Sequence, residues 1–184
     1  MTDRNLTIPN ILTVGRMALA PLIGVLIIRQ EFGGALWVLL GAGLTDFLDG
    51  FIAKRFNQKS YLGAVLDPVA DKLLMVVTVL SLARIGLLPL WITLPVLLRD
   101  FVIFLGAVAY YKRAGSINIR PTILSKANTC AQIGVLLLVI ALHGGILPAF
   151  WLLTPAFLLV LTTTVSSGVQ YVLIWRRKAA EIQR

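Results

Sequence analysis

The chain has 184 residues, of which 58% are hydrophobic and 14% are charged. A soluble domain carries about a quarter charged residues, so the composition argues against a soluble protein. It leaves room for about six apolar helices of the length that crosses a bilayer. The net charge of +9 could indicate nucleic-acid binding, but cytoplasmic loops beside anionic lipid explain it better in a membrane protein. We therefore expect membrane lipid, and no nucleic acid, as a partner.

The apolar runs predict an all-α integral membrane protein with six transmembrane helices, forming a single domain over residues 1–184. In addition, residues 1–7 can form a short interfacial helix at the membrane surface. The six predicted helices cover residues 8–28, 34–54, 63–84, 90–111, 121–142 and 150–175.

Lysine and arginine residues are concentrated at alternate ends of these helices, which indicates the cytoplasmic side of the membrane. We therefore expect both termini and the 54–62 loop to be cytoplasmic. The membrane that we expect is a bacterial inner membrane. The residues that set this bias are Lys54, Arg55, Lys59, Lys112, Arg113, Arg120, Arg176, Arg177, Lys178 and Arg184.

The segment 46–71 contains four of the eight acidic residues in the chain. Asp46 and Asp49 are three residues apart, and Asp67 and Asp71 are four apart, so each pair shares one face of its helix. The connection between the two helices is short, so they can be antiparallel neighbours and bring the carboxylates together. Such a cluster needs a compensating charge. One or two Mg²⁺ or Mn²⁺ ions are the expected ligands, because these hard cations favour oxygen.

Small residues accompany the aspartates. Gly50 directly follows Asp49, Ala53 lies one turn further on, and Gly63 precedes Asp67 by four residues. Small residues let a bulky polar ligand approach a helix backbone closely. Together with the basic connection, they predict a nucleoside diphosphate that binds through its phosphates.

The pattern Asp-x-x-Asp-Gly-x-x-Ala, followed by Gly-x-x-x-Asp-x-x-x-Asp, resembles the signature of the CDP-alcohol phosphotransferase (CDP-alcohol phosphatidyltransferase) family. Seven of its eight fixed positions are present, and the eighth, usually arginine, is Lys54 here, followed by Arg55. Lysine keeps the charge, but a bidentate phosphate contact is either lost or moved to Arg55.

The resemblance implies transfer of a phosphatidyl group from CDP-diacylglycerol to an alcohol, with release of CMP. It implies that Asp46, Asp49, Asp67 and Asp71 ligate the metal and that Asp71 also acts as the general base. It further implies a CDP-binding set and, as often in this family, a homodimer. The CDP-binding set is Asn10, Thr13, Arg16, Gly50, Ala53, Lys54, Arg55 and Gly63.

Two other interpretations of the aspartates are weighed against this one. They could simply pair with lysine or arginine, or line an ion path. A divalent-cation transporter, the distant functional alternative, would place its carboxylates along a path and would not need Gly50 and Gly63.

The acceptor alcohol is indicated by two further segments. The segment 120–132 resembles a segment of the CMP-forming cardiolipin synthases within that family, and so does the pair Arg99-Asp100. This resemblance implies phosphatidylglycerol as the acceptor, with Arg99 and Lys126 as its phosphate contacts. The rival is phosphatidylglycerophosphate synthase, whose dianionic glycerol-3-phosphate should need more than one fixed cation. Without a ligand, Arg99 and Asp100 would serve packing and Lys126 would reach toward the membrane surface.

Overall fold

The structure, a computed structural model, describes residues 8–55, 61–114 and 122–182. For some residues in these ranges the structure describes the backbone but not the side chain. They are residues 8–9, 47, 49–55, 61–65, 109–114 and 177–182. All regular structure in the described ranges is helical. The α-helices are α1 (Ile8–Ile28), α2 (Phe32–Arg55), α3 (Tyr61–Arg84), α4 (Leu90–Ala114), α5 (Ile123–His143) and α6 (Leu153–Ile182), with a 3₁₀ turn at Phe150–Leu152 before α6.

The predicted helices agree with the observed ones to within a few residues, except at the end of α6. That helix continues to Ile182, beyond the predicted end at residue 175, because the basic and alanine-rich segment that follows also favours helix. Helix α5 begins at Ile123, two residues later than predicted. The hydroxyl of Thr122 accepts a hydrogen bond from the Ser125 amide at 3.1 Å, which caps this helix. The proposed interfacial helix at residues 1–7 lies outside the described residues.

The described part of the chain contains four helices that are long and apolar enough to cross a membrane, which confirms the membrane character. They are Asn10–Ile28, Leu90–Val108, Ile123–His143 and Phe150–Arg176. Helix α2 contributes a shorter apolar stretch, Phe32–Asp46, and α3 is interrupted by charged residues. Large apolar side chains such as Leu94, Phe104 and Val169 are exposed, as expected where lipid replaces water around a protein.

The described chain divides into two compact units. The first comprises Met1–Leu88 and Leu137–Pro148, and in it α1 packs against both α2 and α3. Gly24 permits a close approach there, because a Cβ at this position would lie 2.9 Å from Val77 Cγ1 and 3.2 Å from Ser81 Oγ. The α1–α3 interface is therefore too tight for a side chain at residue 24 without movement of its neighbours.

The second unit comprises Pro89–Leu136 and Ala149–Arg184. Helices α4 and α6 pack directly against each other. The rings of Trp91 and Phe157 meet edge to face, with centroids 6.2 Å apart, and Ile92, Val96 and Val160 are buried. This apolar contact fixes α6 beside α4 and so positions the polar residues that both helices carry.

Candidate active site

Helix α1 carries a buried row of polar side chains in an otherwise apolar sequence. Asn10, Thr13 and Arg16 follow one another at intervals of three residues, so they share a face of the helix. They are 6%, 0% and 1% exposed, respectively. Burial of such groups is unfavourable unless they are hydrogen-bonded or paired with charge, and α2 and α3 supply partners for Thr13 and Arg16.

Three of the four motif aspartates converge on this row. The Thr13 hydroxyl donates to Asp67 Oδ1. Arg16 Nη1 donates to Asp46 Oδ1 at 2.5 Å and also to Asp71 Oδ1. Asp46 of α2 and Asp71 of α3 therefore meet at Arg16, and Asp67 meets Thr13 one turn earlier on the same face of α1.

The guanidinium lies on the inner side of this cluster. The side chains of Asp46 and Asp71 are 49% and 51% exposed, whereas that of Arg16 is 1% exposed. A positive charge this close offsets part of the repulsion between the two carboxylates. Their exposed halves remain accessible, so the ion pairs and a ligand site can exist in the same cluster.

Asp46 and Asp71 both contact Arg16 Nη1, so their carboxylate groups lie close together. Carboxylate oxygens are ligands that a hard divalent cation prefers, so the chemistry of this pair fits such an ion. Among the described side chains, which omit Asp49, no three metal-ligating residues lie close enough to share an ion. The four-aspartate ligand set thus stays a prediction. So do the roles of the other motif side chains outside the described set, namely Gly50, Ala53, Lys54, Arg55 and Gly63. CDP binding by Asn10, Thr13 and Arg16 also stays a prediction.

A second polar network lies in the other unit, around Arg99 of α4. Arg99 Nη1 donates to Asp100 Oδ1 at 2.9 Å. Its Nη2 donates to Ser125 Oγ of α5 at 2.6 Å and to Ser167 Oγ of α6 at 2.7 Å. Arg99 and Asp100 are each 8% exposed. The pair thus forms a buried, charge-neutral centre to which three helices contribute.

Asn128 connects α5 to α6 in the same unit. Its side-chain oxygen accepts hydrogen bonds from the hydroxyls of Thr163 at 2.9 Å and Thr164 at 2.8 Å. Sequence reasoning assigned no function to the Thr and Ser residues of α6. The signal that could have found them is the spacing of Thr163, Thr164 and Ser167, which repeats at three to four residues within an apolar run.

Three buried side-chain nitrogens of α4 and α5 have no hydrogen-bond partner among the described residues. They are Arg99 Nε, Asn128 Nδ2 and Gln132 Nε2. An unmade hydrogen bond at a buried donor costs about 1–3 kcal/mol, so an acceptor oxygen from a ligand would stabilise each of these nitrogens.

Lys126, the other predicted acceptor contact, does not join this network in the described structure. It follows Ser125 directly, but its side chain is exposed. An exposed lysine near the start of a span agrees with the alternative in which its amine reaches the membrane surface. Acceptor binding by Lys126 stays a prediction, whereas Arg99 lies at the centre of the polar network.

The chain matches the CDP-alcohol phosphatidyltransferase family over residues 6–175. Because this match covers most of the sequence and includes both polar networks, the chain belongs to that family.

Among its relatives, the chain is similar to a cardiolipin synthase (CMP-forming) of Streptomyces coelicolor, with 46% identity over 134 residues, 70% of this chain and 62% of the relative. It is 40% identical to the cardiolipin synthase (CMP-forming) of Rattus norvegicus over 144 residues, 69% of this chain and 47% of the relative. A CDP-diacylglycerol–glycerol-3-phosphate 3-phosphatidyltransferase of Oryza sativa is 32% identical over 200 residues, 95% of this chain and 59% of the relative. The chain therefore spans about half to three fifths of the length of these relatives.

Proposed function

We propose that the chain transfers the phosphatidyl group of CDP-diacylglycerol to a hydroxyl of phosphatidylglycerol, giving cardiolipin and CMP. The observation that carries the proposal is the convergence of Asp46, Asp67 and Asp71 on Thr13 and Arg16. These aspartates occupy the signature positions of a family to which the chain belongs. The similarity to cardiolipin synthases of bacteria and mammals supports the choice of acceptor.

In the proposed reaction, the acceptor hydroxyl oxygen attacks the phosphorus that carries the diacylglycerol. A new P–O bond forms there, and the bond from this phosphorus to the bridging oxygen of the pyrophosphate breaks, so that CMP leaves with that oxygen. Asp71 takes the hydroxyl proton, because a half-exposed carboxylate can reach a substrate. Arg16, behind Asp46 and Asp71, holds both carboxylates in position.

The metal site is part of the proposal. Asp46, Asp49, Asp67 and Asp71 would hold one or two Mg²⁺ or Mn²⁺ ions, for which carboxylate oxygens are suitable ligands. The ions would supply positive charge at the pyrophosphate. Gly50, Ala53 and Gly63 would leave space for the nucleotide, and Lys54, Arg55 and the α1 polar row would contact it.

The charge around Arg99 favours a singly charged acceptor. Arg99 is paired with Asp100 at 2.9 Å, and both are buried, so this centre offers hydrogen-bond donors but little net positive charge. A phosphodiester lipid carries one negative charge, whereas glycerol-3-phosphate is a dianion that would need additional cations. Phosphatidylglycerol is therefore the acceptor that we propose, with Arg99 and Lys126 as its phosphate contacts.

Glycerol-3-phosphate is the second candidate acceptor. It is favoured by the similarity to the rice phosphatidyltransferase, which extends over 95% of this chain. A divalent-cation transporter is the distant candidate.

We further propose that all six helices cross the membrane, with α2 and α3 as the two spans whose charged ends form the active site. The basic ends of the helices support a cytoplasmic position for the active site and both termini. A bacterial inner membrane is the proposed location, and a homodimer is the proposed assembly.

The test offers both acceptors to the purified protein together with CDP-diacylglycerol and Mn²⁺, and identifies the lipid product by mass. We expect cardiolipin and CMP. If phosphatidylglycerophosphate is the dominant lipid and cardiolipin is absent, the acceptor is wrong. If metal enters proteoliposomes and no CMP is released with either acceptor, the enzyme proposal itself is wrong.

A further inference from the structure

A groove runs between α4 and α6 in the second unit, with a volume of about 350 Å³. This volume lies within the range of roughly 300–1,000 Å³ that is typical of ligand pockets. Its walls are apolar and come from Pro95, Leu98 and Val102 of α4 and from Val165, Val169 and Leu173 of α6. Such a lining suits a hydrocarbon chain.

Two residues distinguish this groove from an ordinary crevice that faces lipid. Arg99 lines it, although its guanidinium is held by Asp100, Ser125 and Ser167. Gly168 lines it as well, and a Cβ at this position would lie 3.6 Å from Arg99 Cγ. The absence of a side chain at residue 168 therefore keeps the groove open beside the aliphatic part of the arginine.

Two of the three buried donors are connected to the groove: Arg99 lines it, and Asn128 accepts a hydrogen bond from Thr164, which also lines it. Arg99 Nε, Asn128 Nδ2 and Gln132 Nε2 are all N–H donors, and none has an acceptor within the described ranges. The side-chain oxygen of Asn128 is already used by Thr163 and Thr164, which orients its amide group. A ligand that pairs with these three donors must bring acceptor oxygens, and a phosphodiester does so.

We propose that the groove and these donors form one binding site for the acceptor phospholipid. One acyl chain of phosphatidylglycerol lies between α4 and α6, and its phosphodiester accepts hydrogen bonds from Arg99 Nε and from the amides of Asn128 and Gln132. This inference rests on the proposed function, because it specifies how a diacyl acceptor is recognised there. Asn128, Gln132 and Gly168 thereby become determinants of acceptor specificity.

Physical chemistry assigns different roles to the two parts of the site. An acyl chain already in the bilayer gains no hydrophobic free energy when it enters an apolar groove, because lipid is equally apolar. The groove therefore selects the shape and depth of the acceptor. The buried donors supply the affinity, because water does not compete with the phosphodiester for them.

The experiment compares Gly168→Leu with the matched control Gly134→Leu. A Cβ at Gly134 would meet nothing within 4 Å, so the control adds the same side chain in the same unit without filling the groove. KM is measured for dioleoyl-phosphatidylglycerol, for its deacylated head group glycerophosphoglycerol, and for CDP-diacylglycerol. We expect Gly168→Leu to raise the KM of the diacyl acceptor about tenfold, as the loss of one good contact would, and to leave the other two unchanged.

Gln132→Met tests the head-group part, because methionine has a similar volume and no amide donor. We expect the KM of both acceptors to rise about tenfold, the effect of one lost hydrogen bond, while that of CDP-diacylglycerol stays the same. A merely structural role for Gln132 would instead lower the melting temperature and change the KM of all three substrates.

A direct measurement uses the wild-type protein, so it does not depend on the folding of variants. Phosphatidylglycerol with a photoactivatable group in one acyl chain should label peptides that contain Val102, Val165 or Val169, and unlabelled phosphatidylglycerol should compete. Labelling elsewhere only, or labelling of these peptides that phosphatidylglycerol does not reduce, would overturn the inference.

The remaining outcomes separate this inference from the proposed function. If the wild type forms cardiolipin and the two leucine variants have equal KM values, the groove site is wrong and the function stands. If Gly168→Leu raises the KM of CDP-diacylglycerol instead, the donor lipid occupies the groove and the inference fails. If Gly168→Leu changes the oligomeric state in native mass spectrometry with no change in KM, a second copy of the chain occupies the groove and the inference fails as well. If the wild type forms no cardiolipin, the proposed function fails.

Discussion

Arg16 Nη1 donates to Asp46 Oδ1 at 2.5 Å, although the two residues lie on different helices and 30 positions apart in the chain. Arg16 is 1% exposed, whereas the side chain of Asp46 is 49% exposed. The arginine therefore supplies a buried positive charge behind carboxylates that face outward. Because Asp71 uses the same nitrogen, this contact fixes the spacing of two aspartates as well as their charge.

The Arg16→Met substitution should leave the carboxylates of Asp46 and Asp71 without the buried positive charge of the guanidinium. We expect the free energy of unfolding to fall by about 1–3 kcal/mol, less than for a fully buried pair because both carboxylates are half-exposed. A bound cation stabilises the folded state. Mn²⁺ should then raise the melting temperature more in the variant than in the wild type, because the repulsion between the two carboxylates that it relieves is larger in the variant.

The measurement is the melting temperature in detergent with and without MnCl₂, with Arg29→Met as the control, because Arg29 is exposed in the same unit. An equal response to Mn²⁺ in all three proteins would contradict the assigned role of Arg16.

Replacement of Asp71→Asn removes the proposed base and keeps the side-chain volume. We expect kcat to fall by about 10²–10⁴, which is typical for the loss of a general base, while binding of CDP-diacylglycerol is affected less. Asp46→Asn should instead weaken metal binding and turnover together. Single-turnover kinetics and equilibrium nucleotide binding separate the two effects. Near-full activity of Asp71→Asn would show that another group takes the proton.

Gly24→Leu should disrupt the α1–α3 interface, because even a Cβ there would lie 2.9 Å from Val77 Cγ1. Overpacking of this kind costs about 1–3 kcal/mol, and the row of polar side chains on α1 should shift away from the aspartates. Gly41→Leu is the matched control, since a Cβ at that position meets nothing within 4 Å. The expected result is a lower melting temperature and lower activity for Gly24→Leu alone; equal melting temperatures would mean that the interface adapts.

Asp100→Asn tests the charge argument for the acceptor. Asparagine keeps an oxygen that can accept from Arg99 Nη1, which now donates to Asp100 Oδ1 at 2.9 Å, but it leaves the centre with a net positive charge. We expect the KM of glycerol-3-phosphate to fall relative to that of phosphatidylglycerol, because a dianion gains more from the added charge. A competition assay with product masses measures this ratio, and an unchanged ratio would show that net charge at Arg99 does not select the acceptor.

The sequence by itself determined the helices and the family. Hydrophobic runs of about 20 residues have few structural solutions in a membrane, so α1 was predicted with its observed ends at Ile8 and Ile28. The spacing of Asp46, Asp49, Asp67 and Asp71 is a local property of two helices, and it indicated the CDP-alcohol phosphatidyltransferase family that the match over residues 6–175 confirms.

Only the tertiary structure decided which side chains from distant segments meet. The sequence named Thr13 and Arg16 as residues that bind CDP, and the fold brings them against Asp67, Asp46 and Asp71.

The same limit applied to α6, where Ser167 gave no sign that it would accept from Arg99, 68 residues earlier. Helical periodicity defines the face on which a residue lies. The partner of that face depends on how the helices pack, which in a membrane is decided by close van der Waals fit and by hydrogen bonds between helices rather than by hydrophobicity.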